Sequence, residues 1–330
     1  MKIFAYEFIT GGGLAREPLP ASLAREGDLM ARALARDLGD VPGVELWMSR
    51  DPRLPALGGA RSLRPEPGEE PLAAYRRMVQ ECDAAWPVAP ETGGMLEALS
   101  RITLESGKLL LGSRPEAVKV AASKRATAQR LASCGIAALP AYVEGEAWPD
   151  ISGPWVVKPD DGAGSGDTFR WPDRARAADW LAARGPGFIA QPWVEGDALS
   201  LSALFADGDA RLLAVNRQHL ALTKGRVALE ALTVNALTDA DGRFARLAGS
   251  VAHALPGLWG YAGVDLVDTP GGPVVVEVNP RLTTSWCALR EALGANPAAL
   301  VLQLLESGRL PPLPAAPARA VEIPVEPAHA

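Results

Sequence analysis

The chain has 330 residues, which at roughly 150 per domain suggests about two domains. With 48% hydrophobic and 22% charged residues it lies outside the compositions that stay disordered. Lys plus Arg total 33 against 39 Asp plus Glu, a net charge of -6, so no global positive field recruits a polyanion and nucleic acid is excluded as the main partner.

Three cysteines, Cys82, Cys134 and Cys287, lie far apart, which suggests neither a disulfide framework nor a thiolate zinc site and fits a reducing cytoplasm. Glu7 interrupts the apolar start Ile3 to Tyr6 after four residues, too short for a secretory core, and no apolar run approaches the ~18 residues of a membrane span. A cytoplasmic protein with no membrane partner is expected.

In chain order, Lys2 to Phe8 reads as a strand ending in Thr10 and the triplet Gly11, Gly12, Gly13. A helix follows, with Leu23, Met30, Leu34 and Leu38 on one face. Val44 to Met48 and Cys82 to Val88 read as strands, Met95 to Leu104 as a helix and Lys108 to Leu111 as a fourth strand, with 51 to 71 a surface loop. Strands alternating with helices predict a small parallel α/β domain over 1–112. At Ser113 an S-x-x-E capping box with Pro115 predicts a helix start; helices continue to about Ala132, broken near Ser123, with Gly135 as the stop. Trp155 to Pro159 and Phe188 to Glu195 read as strands, and 199 to 234 holds several more in an antiparallel style. Near the end Asn296, Pro297 and Gly308 bracket a helix, and the Pro/Ala-rich tail 311–330 is expected to be loose.

The strongest local feature is Gly260 to Asn279, which predicts two strands joined by a turn of Asp268 to Gly272. With the turn centred on Pro270, Asp265 lies opposite Val275 and diagonal to Glu277, and Asn279 shares their face. Val264, Leu266, Val274, Val276 and Val278 make the other face, which belongs to a core. Two close carboxylates repel unless a cation sits between them, and magnesium, which accepts a few protein oxygens and completes its shell from phosphates, suits that need. A plain solvated hairpin is the alternative.

A second feature is Lys158 at the end of an apolar strand, followed by a loop with Gly162, Gly164, Ser165 and Gly166. Such a loop can aim N–H groups at a triphosphate, although it matches neither the Walker nor the dinucleotide fingerprint. Only six of the 33 basic residues are lysines, so Lys158 and Lys124 depart from a habit of writing Arg. A third is Gln191 to Asp197, a strand that can offer backbone groups to an adenine edge. Glu7, Thr10 and the glycines 11 to 13 end the first strand, where ligands commonly sit; a tight turn is the alternative. His219 is not singled out as a base by any spacing.

In their order along the chain, Lys124, Lys158 and the glycine loop, Gln191 to Asp197, and then Asp265, Glu277 and Asn279 resemble the ATP-grasp superfamily over about residues 113 to 310. The resemblance implies an α/β and α+β protein: a pre-ATP-grasp domain over 1–112, a small subdomain with the lid loop over 113–187, and a large subdomain over 188–310. It implies that Lys124 and Lys158 hold ATP phosphates under a loop of Gly162, Gly164, Ser165 and Gly166. Trp193 and Val194 would meet adenine through their backbone, with Gln191 nearby and Asp197 at the ribose. Asp265, Glu277 and Asn279 would bind two Mg2+ ions, with Mn2+ an allowed substitute, and Arg281 would face an acyl phosphate. The stretches KIFAYEFITGGG and VNPRLTTSWCALREALGANPA are similar to the tyramine to L-glutamate ligases of methanofuran synthesis and their bacterial relatives in the methylofuran-type pathway.

The implied activity is ATP-dependent joining of a carboxylate to an amine, with the glutamate γ-carboxyl and tyramine or a tyrosine-like amine as substrates. A homodimer is an allowed assembly. Alternatives are an ATP-grasp amino-acid ligase taking a lysine- or ornithine-like amine and a nucleotide-binding module without turnover. A nicotinamide oxidoreductase lacks its phosphate fingerprint.

Overall fold

A computed structural model of the chain describes residues 1–162, 167–313 and 319–325. The N-terminal part is a five-stranded parallel sheet of β1 (Lys2–Glu7), β2 (Glu45–Ser49), β3 (Arg61–Leu63), β4 (Ala84–Val88) and β5 (Leu109–Leu110), in the order β3-β2-β1-β4-β5. Helices α1 (Ala21–Gly39), α2 (Pro71–Gln80) and α3 (Met95–Glu105) connect the strands. Because side chains alternate along a strand, the central β1 feeds two cores: Ile3 and Ala5 pack with Leu34 of α1, and Phe4 and Tyr6 pack with Tyr75 of α2. Strand β3 and helix α2 fall in or beside the stretch expected to be loop. Leu23, expected on the core face of α1, is 39% exposed.

Helices α4 (Pro115–Ala122) and α5 (Lys124–Ser133) lead into the second part. The expected capping box does not form: Arg114 holds the N-cap position of α4 without a side-chain bond, and the buried Ser113 hydroxyl instead accepts from the Trp259 amide at 3.4 Å. Pro115 starts the helix as read. The break at Ser123 is real, since this residue caps α5 by accepting from the Ala126 amide at 3.0 Å.

A nine-stranded sheet follows. It contains β6 (Trp155–Pro159), β7 (Phe169–Trp171), β8 (Phe188–Pro192), β9 (Asp197–Ala206), β10 (Asp209–Thr223), β11 (Arg226–Leu237), β12 (Gly260–Thr269), β13 (Gly272–Asn279) and β14 (Val321–Pro324). The path runs β13-β12-β9-β10-β11-β7-β6-β8, with β14 against β11. Among the described residues every pairing between these strands is antiparallel. Helices α6 (Arg174–Arg184), α7 (Arg243–Ala254), α8 (Trp286–Leu293) and α9 (Pro297–Ser307) cover it, and Asn296 caps α9 through its side chain. Strand β8 pairs with β6, so it goes with the smaller group of strands rather than with those after residue 188. The tail is not loose throughout, because Val321 to Pro324 add to the edge of β11.

The two sheets share one core. Trp286 of α8 is fully buried and meets Trp86 of β4 with ring centroids 5.5 Å apart and Tyr261 of β12 at 5.0 Å, both edge to face. Helix α1 packs on α8 and α9 in the same cluster. Among the described residues no helix is long and apolar enough to cross a membrane.

Candidate active site

The β12–β13 hairpin brings its three predicted residues together, in a register that differs from the expected one. Asp265 stands directly opposite Glu277, Gly263 opposite Asn279 and Leu266 opposite Val275. Val276 is the extra residue of a bulge between these pairs, and it shifts the alternation by one. The buried face is therefore Val264, Leu266, Val275 and Val278, while Val274 and Val276, expected in the core, are only partly buried. The bulge keeps Glu277 and Asn279 beside Asp265, whose carboxylate accepts from Asn279 Nδ2 at 3.3 Å and from Gln218.

Two lysines close on this pair from other elements. Lys124 opens α5, and the turn is braced by Asp160, which accepts from the Ser123 hydroxyl at 2.6 Å and from the Arg125 amide at 2.9 Å. Its ammonium lies 3.3 Å from Glu277 Oε2 and donates to the Gly162 carbonyl at 2.6 Å, so it ties the carboxylates to the stem of the glycine loop. Lys158, on β6, is 9% exposed. Burial pushes its ammonium down to about 8, with Glu277 working against that shift and Lys124 adding to it. Burial also raises Asp265, and the facing Glu277 raises it further. For Glu277 burial acts upward too, but Lys124 and Lys158 outweigh it and hold the carboxyl below its usual range.

These residues fit a divalent cation. They offer hard oxygens, and desolvation together with the facing Glu277 drives Asp265 toward its neutral form, a cost that a bound cation removes. Among the described residues no three His, Cys, Asp or Glu side chains gather closely enough to hold a metal. The remaining oxygens of such a site would therefore come from Asn279, water or a phosphorylated ligand.

Beside the carboxylates lies a cleft of about 380 Å³ between the two sheets. Asp265, Glu277, Asn279 and Arg281 line one region; Glu7, Glu26 and Met30 of the N-terminal part line another. Glu7 is fixed by the Thr10 amide at 2.7 Å, the Thr10 hydroxyl at 2.6 Å and the Ile9 amide at 3.2 Å, and burial raises its pKa despite these bonds. Glycines 11 to 13 do not line the cleft: added Cβ atoms at Gly11 and Gly13 would strike the Tyr6 and Phe8 rings at 2.9 and 2.4 Å, so these glycines serve packing.

Other predicted residues are engaged elsewhere. Gln191 donates to the Leu139 carbonyl at 3.1 Å, and the Trp193 amide donates to the Pro154 carbonyl at 2.9 Å. Asp197 forms a fork with Arg217 at 2.9 and 3.2 Å, and this bonding holds its carboxyl below the usual range. Arg281 lines the cleft with its guanidinium paired to Glu91. Gly164, Ser165 and Gly166 lie outside the described residues, whereas Gly162 takes part through its carbonyl. Sequence reading missed Glu91, Gln218, Glu26 and Asp160. Asp160, two residues after Lys158, was the one with a local signal.

A family model of the ATP-grasp domain matches residues 121–285, and one of the pre ATP-grasp 3 domain matches residues 44–118. Tyramine--L-glutamate ligase of Methanocaldococcus jannaschii is 28% identical over 211 residues, 64% of this chain and 59% of that protein. The protein of the same name from Methanocaldococcus fervens is 28% identical over 213 residues, 64% of this chain and 62% of its own length. The matches thus span about three-fifths of those relatives. Among solved structures, an ATP-grasp superfamily protein from Archaeoglobus fulgidus has a TM-score of 0.72 at 23% identity, covering 92% of this chain and 88% of that one. D-alanine--D-alanine ligase from Bacillus anthracis, complexed with ATP, has a TM-score of 0.62 at 16% identity, covering 94% and 100%.

Proposed function

The chain belongs to the ATP-grasp family, with a pre-ATP-grasp domain before it, and from that premise we propose that it is an ATP-dependent carboxylate–amine ligase. We propose the glutamate γ-carboxyl as the acid and tyramine or a tyrosine-like amine as the acceptor; the names of the relatives support L-glutamate and tyramine. The observation that carries the reading is the cluster of Lys124, Lys158, Asp265 and Glu277, two ammonium groups against two carboxylates from four separate elements.

A carboxylate does not react with an amine at neutral pH, because its oxygen is a poor leaving group. In the proposed reaction a carboxylate oxygen bonds to the γ-phosphorus of ATP as the bond to ADP breaks. The amine, having lost a proton, then bonds to the acyl carbon and phosphate departs. Lys124 and Lys158 place positive charge on the phosphoryl oxygens, and the reaction needs water kept out, since water would hydrolyse the acyl phosphate. Asp265, Glu277 and Asn279 would hold Mg2+, which supplies Lewis-acid neutralisation of phosphate charge. The Trp193 carbonyl and Val194 would meet the adenine edge, Gln191 would keep that strand in place through Leu139, and Asp197 would have to share its fork with Arg217 to reach a ribose. Arg281 would meet the acyl phosphate with the part of its fork that Glu91 leaves open.

The test is incubation with ATP, Mg2+, L-glutamate and a mixture of tyramine, lysine and ornithine, followed by ADP assay and mass spectrometry. The expected product is γ-glutamyltyramide with equal ADP and phosphate. A lysine or ornithine amide would replace the acceptor, and absence of ADP release with every acid tried would refute the ligase.

A further inference from the structure

The Arg281 guanidinium is held by a residue from the other half of the chain. Its Nε lies 2.9 Å from Glu91 Oε1 and its Nη2 donates to Glu91 Oε2 at 3.0 Å, while Nη1 donates to the Leu282 carbonyl at 3.0 Å. Both side chains are nearly out of solvent, at 11% and 7% exposure. Glu91 lies three residues beyond β4, and the residues after it meet the stem of the glycine loop. Thr92 Oγ1 donates to the Asp161 carbonyl at 3.0 Å, and the Gly93 amide donates to Asp161 Oδ2 at 3.1 Å.

We propose that Glu91 is a positioning residue, fixing the Arg281 guanidinium for the anionic acyl group while Thr92 and Gly93 anchor Asp161, so that one segment of the N-terminal domain sets both sides of the phosphate site. The inference rests on the reading of Arg281 given above. Without Glu91 the arginine has other carboxylates to turn to, since Glu26 and Glu277 also act on it electrostatically. One hydrogen bond and a second close charge contact on the same edge of the planar fork restrict its plane as well as its position.

The sign of one substitution separates orientation from charge. Glu91→Gln removes a negative charge near the phosphate site, so simple electrostatics predicts tighter phosphate binding, whereas lost orientation predicts weaker binding. The measurements are calorimetric affinity for inorganic phosphate in protein saturated with MgADP, and ADP release with L-glutamate and tyramine. They are made for Glu91→Gln, Glu91→Asp, Arg281→Ala and the Glu91→Gln/Arg281→Ala pair.

We expect Glu91→Gln to weaken phosphate binding and lower kcat/KM by about 100-fold, the cost of a misplaced group, with MgADP affinity kept. Glu91→Asp should restore part of the loss, and the double variant should be no weaker than Arg281→Ala alone. Equal or tighter phosphate binding in Glu91→Gln, or losses that multiply in the double variant, would overturn the proposal. Native phosphate affinity in Arg281→Ala would instead sink the reading of Arg281 itself, and the inference with it. The phosphate titration does not depend on which acid and amine are the true substrates.

Discussion

Replacing Lys158 by Met should make the ligand-free protein more stable at pH 7 while removing its grip on ATP. The ammonium is 9% exposed, and burial lowers its pKa from 10.5 to about 8 even with Glu277 and Asp265 nearby. A pKa lower in the folded state means that folding opposes the charged form. At ~1.4 kcal/mol for each tenfold change in proton affinity, keeping Lys158 charged costs about 3 kcal/mol at pH 7. Methionine has a similar shape and carries no charge. For 330 residues, at ~2.1 cal/mol/K per residue, a gain of about 3 kcal/mol raises Tm by about 4 °C. The pH dependence follows from the sign. The gain is complete below pH 8, where the wild-type ammonium is charged in both states. It shrinks as pH rises from about 8 toward 10.5, where folded Lys158 has lost its proton and the unfolded chain has not. Scanning calorimetry of both proteins from pH 7 to 10, without Mg2+ or nucleotide, measures this, and calorimetric titration of MgATP at pH 7 measures the functional loss. A Lys158→Met protein that is less stable at pH 7, or whose difference from wild type does not change with pH, would refute the electrostatic reasoning.

Glu277→Gln should keep the fold and abolish Mg2+-dependent ADP release, because Asp265 would then lack its anionic partner across the ladder; unchanged turnover would remove the metal assignment. Trp286→Ala should cost about 3–5 kcal/mol and lower Tm by roughly 4–7 °C. Hydrogen exchange should then quicken in both β1 and β12, since this ring joins the two sheets, and a change confined to one would contradict the shared core. Gly196→Ala should lower stability by about 1–3 kcal/mol, because its Cβ would sit 2.4 Å from the Asp268 carbonyl oxygen; an unshifted urea midpoint would show that β9 and β12 can part at no cost.

The sequence by itself determined what periodicity and turn chemistry can encode. The alternation of strands and helices over the first 112 residues predicted a parallel sheet, and a parallel sheet is present. Turn residues from Asp268 to Gly272 predicted a hairpin carrying Asp265, Glu277 and Asn279 on one face, and the ladder has them there. The ordered motifs pointed to the family that the domain matches identify. Local signals did not carry the bulge at Val276, which decides that Val275 enters the core and Val276 does not, because an extra strand residue is set by how the hairpin packs. Nor could they carry Glu91 against Arg281 or Lys124 against Glu277, pairs separated by 190 and 153 positions in the chain. The first pair forms only after the two sheets share a core around Trp286 and the second only after α5 packs on β13, when side chains with no common period meet.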